Sequence, residues 1–209
     1  MALKIYDFRR DQDVVNMLVT PHIRSRFLRM EPGQVANRHS HDLGHEIFLI
    51  LQGRCHFEIS GETAVLEPGQ LCVARVDEPH QVRVVGDEPM IMYLSVTPHI
   101  QPTHTGLDGD GQRLPIRFAP STSYDVEANG DTSMADLLDQ FAQQSRQAAA
   151  ALEASAEQAQ ALRSQLEAGG EAGQQARVAV WEQFYQAWTK AYAAADSWNS
   201  LAPRAGGED

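Results

Sequence analysis

The sequence predicts a β-sandwich or barrel followed by an α-helical hairpin, and three observations carry that expectation. Between Arg24 and Thr97, short alternating apolar segments are separated by turn signals every eight to twelve residues or so. From Ile100 to Gly130 the pattern lapses, with Pro102, Pro115, Pro120 and an Asp108-Gly109-Asp110-Gly111 run. Beyond Gly130 the composition turns to Ala, Gln and Glu, and the apolar period becomes that of a helix.

The strands follow in order. Ser25 to Met30 is the first, ended by Glu31-Pro32-Gly33. His45 to Leu51 is apolar on both faces: Glu46, Phe48 and Ile50 share one side, Ile47, Leu49 and Leu51 the other. Arg54 to Ile59 stops at Ser60-Gly61, which feeds Thr63 to Leu66 as a hairpin partner. Glu67-Pro68-Gly69 turns the chain again before strands at Leu71 to Val76, Gln81 to Val85 and Met90 to Val96. The stretch from Ile100 to Gly130 reads as a surface segment or linker.

Two helices are expected after it. Ser133 with Asp136 three residues on resembles a capping box, with Asp in place of the preferred Glu or Gln. Met134, Leu138, Phe141, Ser145, Ala148, Leu152, Ser155, Ala159, Leu162 and Leu166 step by four and three, a heptad seam. Gly169-Gly170 and Gly173 break the helix. Val178, Trp181, Tyr185, Trp188, Tyr192 and Ala195 then mark a second one, whose aromatic stripe is expected to form the hairpin core or its dock on the barrel. The chain is therefore expected to divide into a barrel over residues 1–126 and a helical appendage over 127–209, with helices at about 132–168 and 173–199.

At 209 residues and 43% hydrophobic content the chain can bury a core. Its formal net charge is −11, and neither segment has a basic excess, which argues against phosphate backbones and nucleic acid as partners. The first ten residues lack the apolar core of a secretory signal, and only Cys55 and Cys72 occur, so a cytoplasmic protein with two unpaired core thiols is expected. No apolar run approaches the roughly 18 residues of a membrane span. The tetrapeptide Thr-Pro-His-Ile occurs at 20–23 and again at 97–100, without a wider repeat.

The chemistry concentrates in two motifs. The first runs Gly33, five residues, His39, one, His41, four, Glu46, six, Gly53. In an extended segment His39 and His41 face one side, and Glu46 enters from the start of the next strand on the face of Phe48 and Ile50. The second opens at Pro68-Gly69 and closes at Pro79-His80. Together they resemble the two motifs of the cupin superfamily. Arg75 and Asp77 stand where that family usually has proline and glycine, and Val84 replaces a frequent asparagine.

The resemblance implies a mainly β fold, a double-stranded β-helix or jelly-roll barrel, preceding the helical hairpin. It implies one divalent transition-metal ion on His39, His41, Glu46 and His80, with Fe(II) favoured and Mn, Ni, Zn or Cu open to a thiolate-free donor set. Alternation places His45 on the opposite face from Glu46. His22, His56, His99 and His104 carry no spacing argument and are expected at the surface or behind the ligands. Phe48, Ile50, Phe57 and Val73 would wall the substrate pocket, with Arg75 either holding an oxyanion there or pairing with Asp77 or Glu78 at the rim. The function so implied is dioxygenase-type oxidation of a small enolic, phenolic or dicarbonyl molecule, with Glu46 as the catalytic base. The alternatives are a non-oxidative metal-dependent isomerase or lyase and a small-molecule binding or sensory protein. A homodimer is expected, since such barrels commonly pair through sheet faces.

Overall fold

The computed structural model describes residues 3–11, 14–125 and 131–207. The chain forms two compact units, residues 1–128 and 129–207, so the boundary expected at 126 and 127 lies outside the described residues.

The first unit holds strands β1 (Val15–Thr20), β2 (Ile23–Met30), β3 (His39–Ser40), β4 (His45–Gln52), β5 (Arg54–Ile59), β6 (Glu62–Leu66), β7 (Leu71–Ala74), β8 (His80–Val85), β9 (Met90–Thr97) and β10 (Thr105–Gly106). They form two antiparallel sheets, ordered β1-β2-β9-β4-β7 and β10-β3-β8-β5-β6, in the jelly-roll arrangement expected. Burial along β4 settles which of its two apolar faces is inside. Glu46, Phe48 and Ile50 are buried, while Ile47, Leu49 and Leu51 are half-buried. Met30, Phe48, Ile50, Cys55, Phe57, Val82, Met92 and Leu94 form the core between the sheets.

Register arranges this interior in rows. Residues directly opposite on neighbouring strands share a face. Arg24, Val96, Glu46 and Ala74 therefore make one row across β2, β9, β4 and β7, and Arg26, Leu94, Phe48 and Cys72 make the next. Gly53 closes the β4–β5 turn at φ +70°, and a Cβ there would stand 2.5 Å from the carbonyl oxygen of Pro89, so this turn requires glycine. Cys55 and Cys72 are free, and burial pushes both thiols up to about 12.

Three strands escape the sequence pattern. β1 is masked by its mixed composition, and β3 and β10 are two residues each, too short for any periodicity. The segment after Thr97 also corrects an expectation. Instead of a surface linker, it contributes β10, a 3-10 turn at Ser121–Tyr124 and the buried residues His99, Gln101, Thr103, Ser121 and Tyr124. The two Thr-Pro-His-Ile stretches lie side by side: His99 N–H donates to the Pro21 carbonyl (3.0 Å) and Thr97 Oγ1 to that of His22 (2.8 Å).

The second unit contains α1 (Met134–Ala161), α2 (Arg163–Ala168) and α3 (Gly170–Gly206). Ser133 caps α1 as its spacing suggests, its hydroxyl accepting from Asp136 N–H at 3.1 Å. Of the expected seam, Met134, Phe141, Ser145, Ala148, Ser155, Ala159 and Leu162 are buried or half-buried. Leu138, Leu152 and Leu166 are exposed, and Leu137, Gln144, Ala151 and Gln158 are also buried or half-buried. Small side chains decide this. Ala148 and Ser155 on α1 and Ala176 and Ala187 on α3 are buried, and Gln144 accepts a 2.8 Å hydrogen bond from Ser197. Trp181, Tyr185 and Trp188 are about half exposed, so the aromatic stripe is not the hairpin core. Gly169 separates α2 from α3, whereas Gly173 lies within α3, where a Cβ would come 3.1 Å from the Gln165 carbonyl oxygen. Among the described residues no helix is long and apolar enough to cross a membrane.

Candidate metal centre

Both sheets contribute to one cluster. His39 of β3 stands opposite His80, the first residue of β8, in one sheet. Glu46 comes from β4 in the other, and His41 follows β3 at i+2 from His39. One ligand atom from each of these four residues lies within 4.8 Å of all the others. Oε2 of Glu46 is the hub, 2.7 Å from Nε2 of His41, 3.1 Å from that of His80 and 3.8 Å from that of His39. His41, Glu46 and His80 are buried, and His39 keeps 19% of its side chain exposed.

The far side of each ring is fixed. Nδ1 of His39 faces the carbonyl of Asn37 at 2.9 Å, Nδ1 of His80 faces that of Glu78 at 2.9 Å, and Nδ1 of His41 bonds to that of Thr103. A carbonyl only accepts, so each Nδ1 carries the proton, and a neutral imidazole then presents a bare lone pair at Nε2. Three lone pairs and a carboxylate oxygen thus converge, with Nε2 of His80 and His39 only 3.2 Å apart. Such a set repels itself unless a proton or cation lies among the atoms. Burial alone would raise the Glu46 pKa; where a proton sits at Nε2 between the rings and the carboxylate, hydrogen bonds from His39, His41 and His80 hold it well below the usual carboxylate range. The donor set fits a divalent transition metal: mixed imidazole and carboxylate, rings oriented by backbone carbonyls, one edge reachable from solvent.

That edge opens into a cleft of about 1140 Å³ whose lining includes His39, His104, Asn37, Gln81, Leu114 and Phe118. His104 has no spacing signal in the sequence, and β10 brings it here. Its ring centre is 4.8 Å from that of His39 and 4.9 Å from that of His41, and its Nδ1 lies 2.9 Å from Thr103 Oγ1, itself 3.0 Å from the Tyr124 hydroxyl. Burial, then the positive charge of Arg24, keeps His104 neutral well below the usual histidine range. His99 is packed 4.8 Å from Tyr124, and burial, then Arg24, lowers it to about 3. His45 is exposed and accepts from Val76 N–H at 3.0 Å, as alternation requires. His22 is exposed and His56 half-buried.

The apolar wall is only partly as expected. Phe48, Ile50 and Phe57 are buried, and the Phe48 ring lies 5.5 Å from that of His80 and 4.8 Å from that of Phe57. Val73 and Arg75 do not line it. Val73 pairs with Ile47, on the outward side of the sheet, and both Val73 and Arg75 are exposed. Glu78 accepts from the backbone N–H of Arg75 (2.8 Å), and Asp77 lies 3.4 Å from Arg113. The guanidinium inside the barrel belongs instead to Arg24, fully buried, with Nη2 3.5 Å from Oε1 of Glu46. A period-two reading of β2, Arg24-Arg26-Leu28-Met30, holds that signal, since the strand's core face begins with two arginines.

A family model described as a cupin domain matches residues 26–97. A protein named polyketide synthase CurC, from Streptomyces cyaneus, is 32% identical over 69 residues, which are 33% of this chain and 45% of that protein, so the match spans less than half of the relative. Among solved structures, a conserved protein with a double-stranded β-helix domain from Klebsiella pneumoniae is similar at 18% identity and TM-score 0.46, over 51% of this chain and 99% of that one. KdgF from Halomonas sp. is similar at 22% identity and TM-score 0.39, over 43% of this chain and 78% of that one.

Proposed function

We propose, from the premise that residues 26–97 belong to the cupin domain family, that this chain is a metal-dependent enzyme carrying out dioxygenase-type oxidation of a small enolic, phenolic or dicarbonyl molecule. One observation carries the reading. The three imidazoles, each locked through Nδ1 onto a backbone carbonyl, aim Nε2 at a single carboxylate oxygen. His39, His41, Glu46 and His80 would hold the ion, Fe(II) in the favoured case. When bound, it would polarise substrate oxygens and give access to one-electron chemistry with dioxygen.

The protein's own groups divide the remaining work. Phe48 and Phe57 exclude water from one side of the cluster. Glu46, whose Oε2 is the point on which the imidazoles converge, serves as a ligand. His104 lines the cleft beside the cluster and is placed to hydrogen-bond a substrate oxygen through Nε2, with its ring held from behind through Nδ1, Thr103 Oγ1 and the Tyr124 hydroxyl. A relative named as a polyketide synthase is compatible with such substrates, because polyketides are rich in enolic and phenolic oxygens.

The test begins with elemental analysis of the purified protein and of the His39→Ala, His41→Ala double variant. About one metal ion per chain is expected in the first and little in the second. The Fe(II)-reconstituted protein is then followed by oxygen uptake with catechol, flavonol and diketone panels. Activity with zinc in the absence of oxygen would replace the oxidative reading with isomerase or lyase chemistry, and stoichiometric binding without turnover would favour a binding or sensory protein.

A further inference from the structure

Arg24 is fully buried, yet Nε, Nη1 and Nη2 all lack a hydrogen-bond partner. Its ion pair with Glu46, at 3.5 Å, is not a hydrogen bond, and its other neighbour of note is the Tyr124 ring, 5.7 Å from the guanidinium carbon. A guanidinium offers five N–H donors in a planar fork. Buried without hydrogen-bond acceptors, it carries a desolvation cost that the 3.5 Å ion pair with Glu46 offsets only in part.

The surroundings add positive charge. Arg26 follows on the same face of β2, and its Nε is also buried without a partner. Burial, together with the neighbouring charge of Arg24, lowers its pKa to about 10. Glu46 is the only buried carboxylate among the described residues. Two guanidinium groups therefore face one anion whose other oxygen is engaged by three histidines, and a divalent ion on those histidines would leave the interior still more positive.

We propose that the barrel interior beside the metal cluster binds the carboxylate of a small organic acid, with Arg24 gripping its two oxygens and Arg26 adding charge alongside. This deepens the proposed function and rests on it for the second half of the pose. The substrate is a short oxyacid whose keto or hydroxyl oxygen reaches the histidine cluster while its carboxylate sits on Arg24. The planar fork selects a flat, two-oxygen anion over a tetrahedral one.

The probe is pyruvate, titrated calorimetrically into the full-length protein, first stripped with chelator and then loaded with Zn²⁺, with pyruvamide and inorganic phosphate as comparison ligands. In the stripped protein, where metal chelation cannot contribute, pyruvate is expected to bind at least tenfold tighter than pyruvamide or phosphate. Arg24→Gln is expected to lose at least that factor for pyruvate and to leave pyruvamide unchanged. Arg24→Lys, which keeps the charge and loses the fork, should fall between. If Arg24→Gln does not fold, the wild-type preference and Arg24→Lys decide. Equal binding of pyruvate and pyruvamide, equal binding of phosphate, or an Arg24 variant with undiminished pyruvate affinity would overturn the carboxylate site. A separate Zn²⁺ titration judges the metal reading: absent Zn²⁺ binding with intact pyruvate binding would sink that reading alone.

Discussion

Nδ1 of His41 bonds to the backbone carbonyl of Thr103, a residue 62 positions further along the chain. The ring that meets Glu46 at 2.7 Å is therefore oriented by a segment beyond the last long strand of the barrel, and the metal site is not complete without it. The Thr103 side chain is in turn held at 3.0 Å by Tyr124.

From this relationship we expect two grades of effect on metal affinity. His41→Ala or His80→Ala removes a donor and should weaken Zn²⁺ binding by a hundredfold or more, whereas Tyr124→Phe only loosens the support of one ring and should cost roughly tenfold or less. Competition titration against a chromogenic chelator measures both. In wild type, stripping the metal should lower the melting temperature, since a ligand at 100 times its Kd stabilises the fold by about 2.7 kcal/mol. Unchanged affinity in Tyr124→Phe would show that this support does not orient the His41 ring.

Acid should destabilise the metal-free barrel through His99. Its pKa is lowered to about 3 by burial and the nearby arginines, while in the unfolded chain it titrates near 6.5. Above pH 6.5 both states are neutral and no penalty exists. As pH falls from 6.5 towards 3, only the unfolded chain takes the proton, so stability drops by up to about 1.4 kcal/mol per pH unit for this one group. Urea denaturation at pH 7, 6 and 5 reads the slope, and His99→Gln should flatten it by one proton's worth. An unchanged slope in that variant would contradict the burial of His99 against Tyr124.

Two interior substitutions test the barrel itself. Gly53→Ala forces a side chain into a positive-φ turn against the Pro89 carbonyl and should cost about 1–3 kcal/mol. Phe48→Ala opens a cavity beside Phe57 and His80 and should cost about 3–5 kcal/mol. Thermal or urea unfolding of each variant checks the values. A neutral Gly53→Ala would mean that the β4–β5 turn differs from the one described.

A homodimer remains a proposal for this chain, with two candidate surfaces: the outer sheet face, where Leu71 and Val73 are exposed, and the stripe of Trp181, Tyr185 and Trp188 on α3. Light scattering of the full-length chain is expected to give twice the monomer mass. If the stripe mediates assembly, Trp181→Glu with Trp188→Glu should halve that mass, and if the sheet does, Val73→Glu should. A monomeric wild type would remove the proposal.

The local sequence settled a great deal here. Alternation in β4 grouped Glu46 with Phe48 and Ile50 and set His45 on the other side, the i and i+2 spacing of His39 and His41 aimed both rings one way, and the resemblance to the cupin motifs added Glu46 and His80 to the cluster. The cap at Ser133 was equally legible, since capping is a contact between near neighbours. Other features depended on pairings between distant segments. β10 exists only because Thr105 and Gly106 find Ser40 and His39, and that pairing carries His104 to the cluster and turns an irregular stretch into part of the site. The assignment of the interior arginine to position 24 rather than 75 was decided by strand register, which pairs Val73 with Ile47 and puts Arg24 in the row of Glu46. The α1 seam turned on which small residues let two helices approach. Periodicity says which residues share a side, but only the packed partners decide which side is covered.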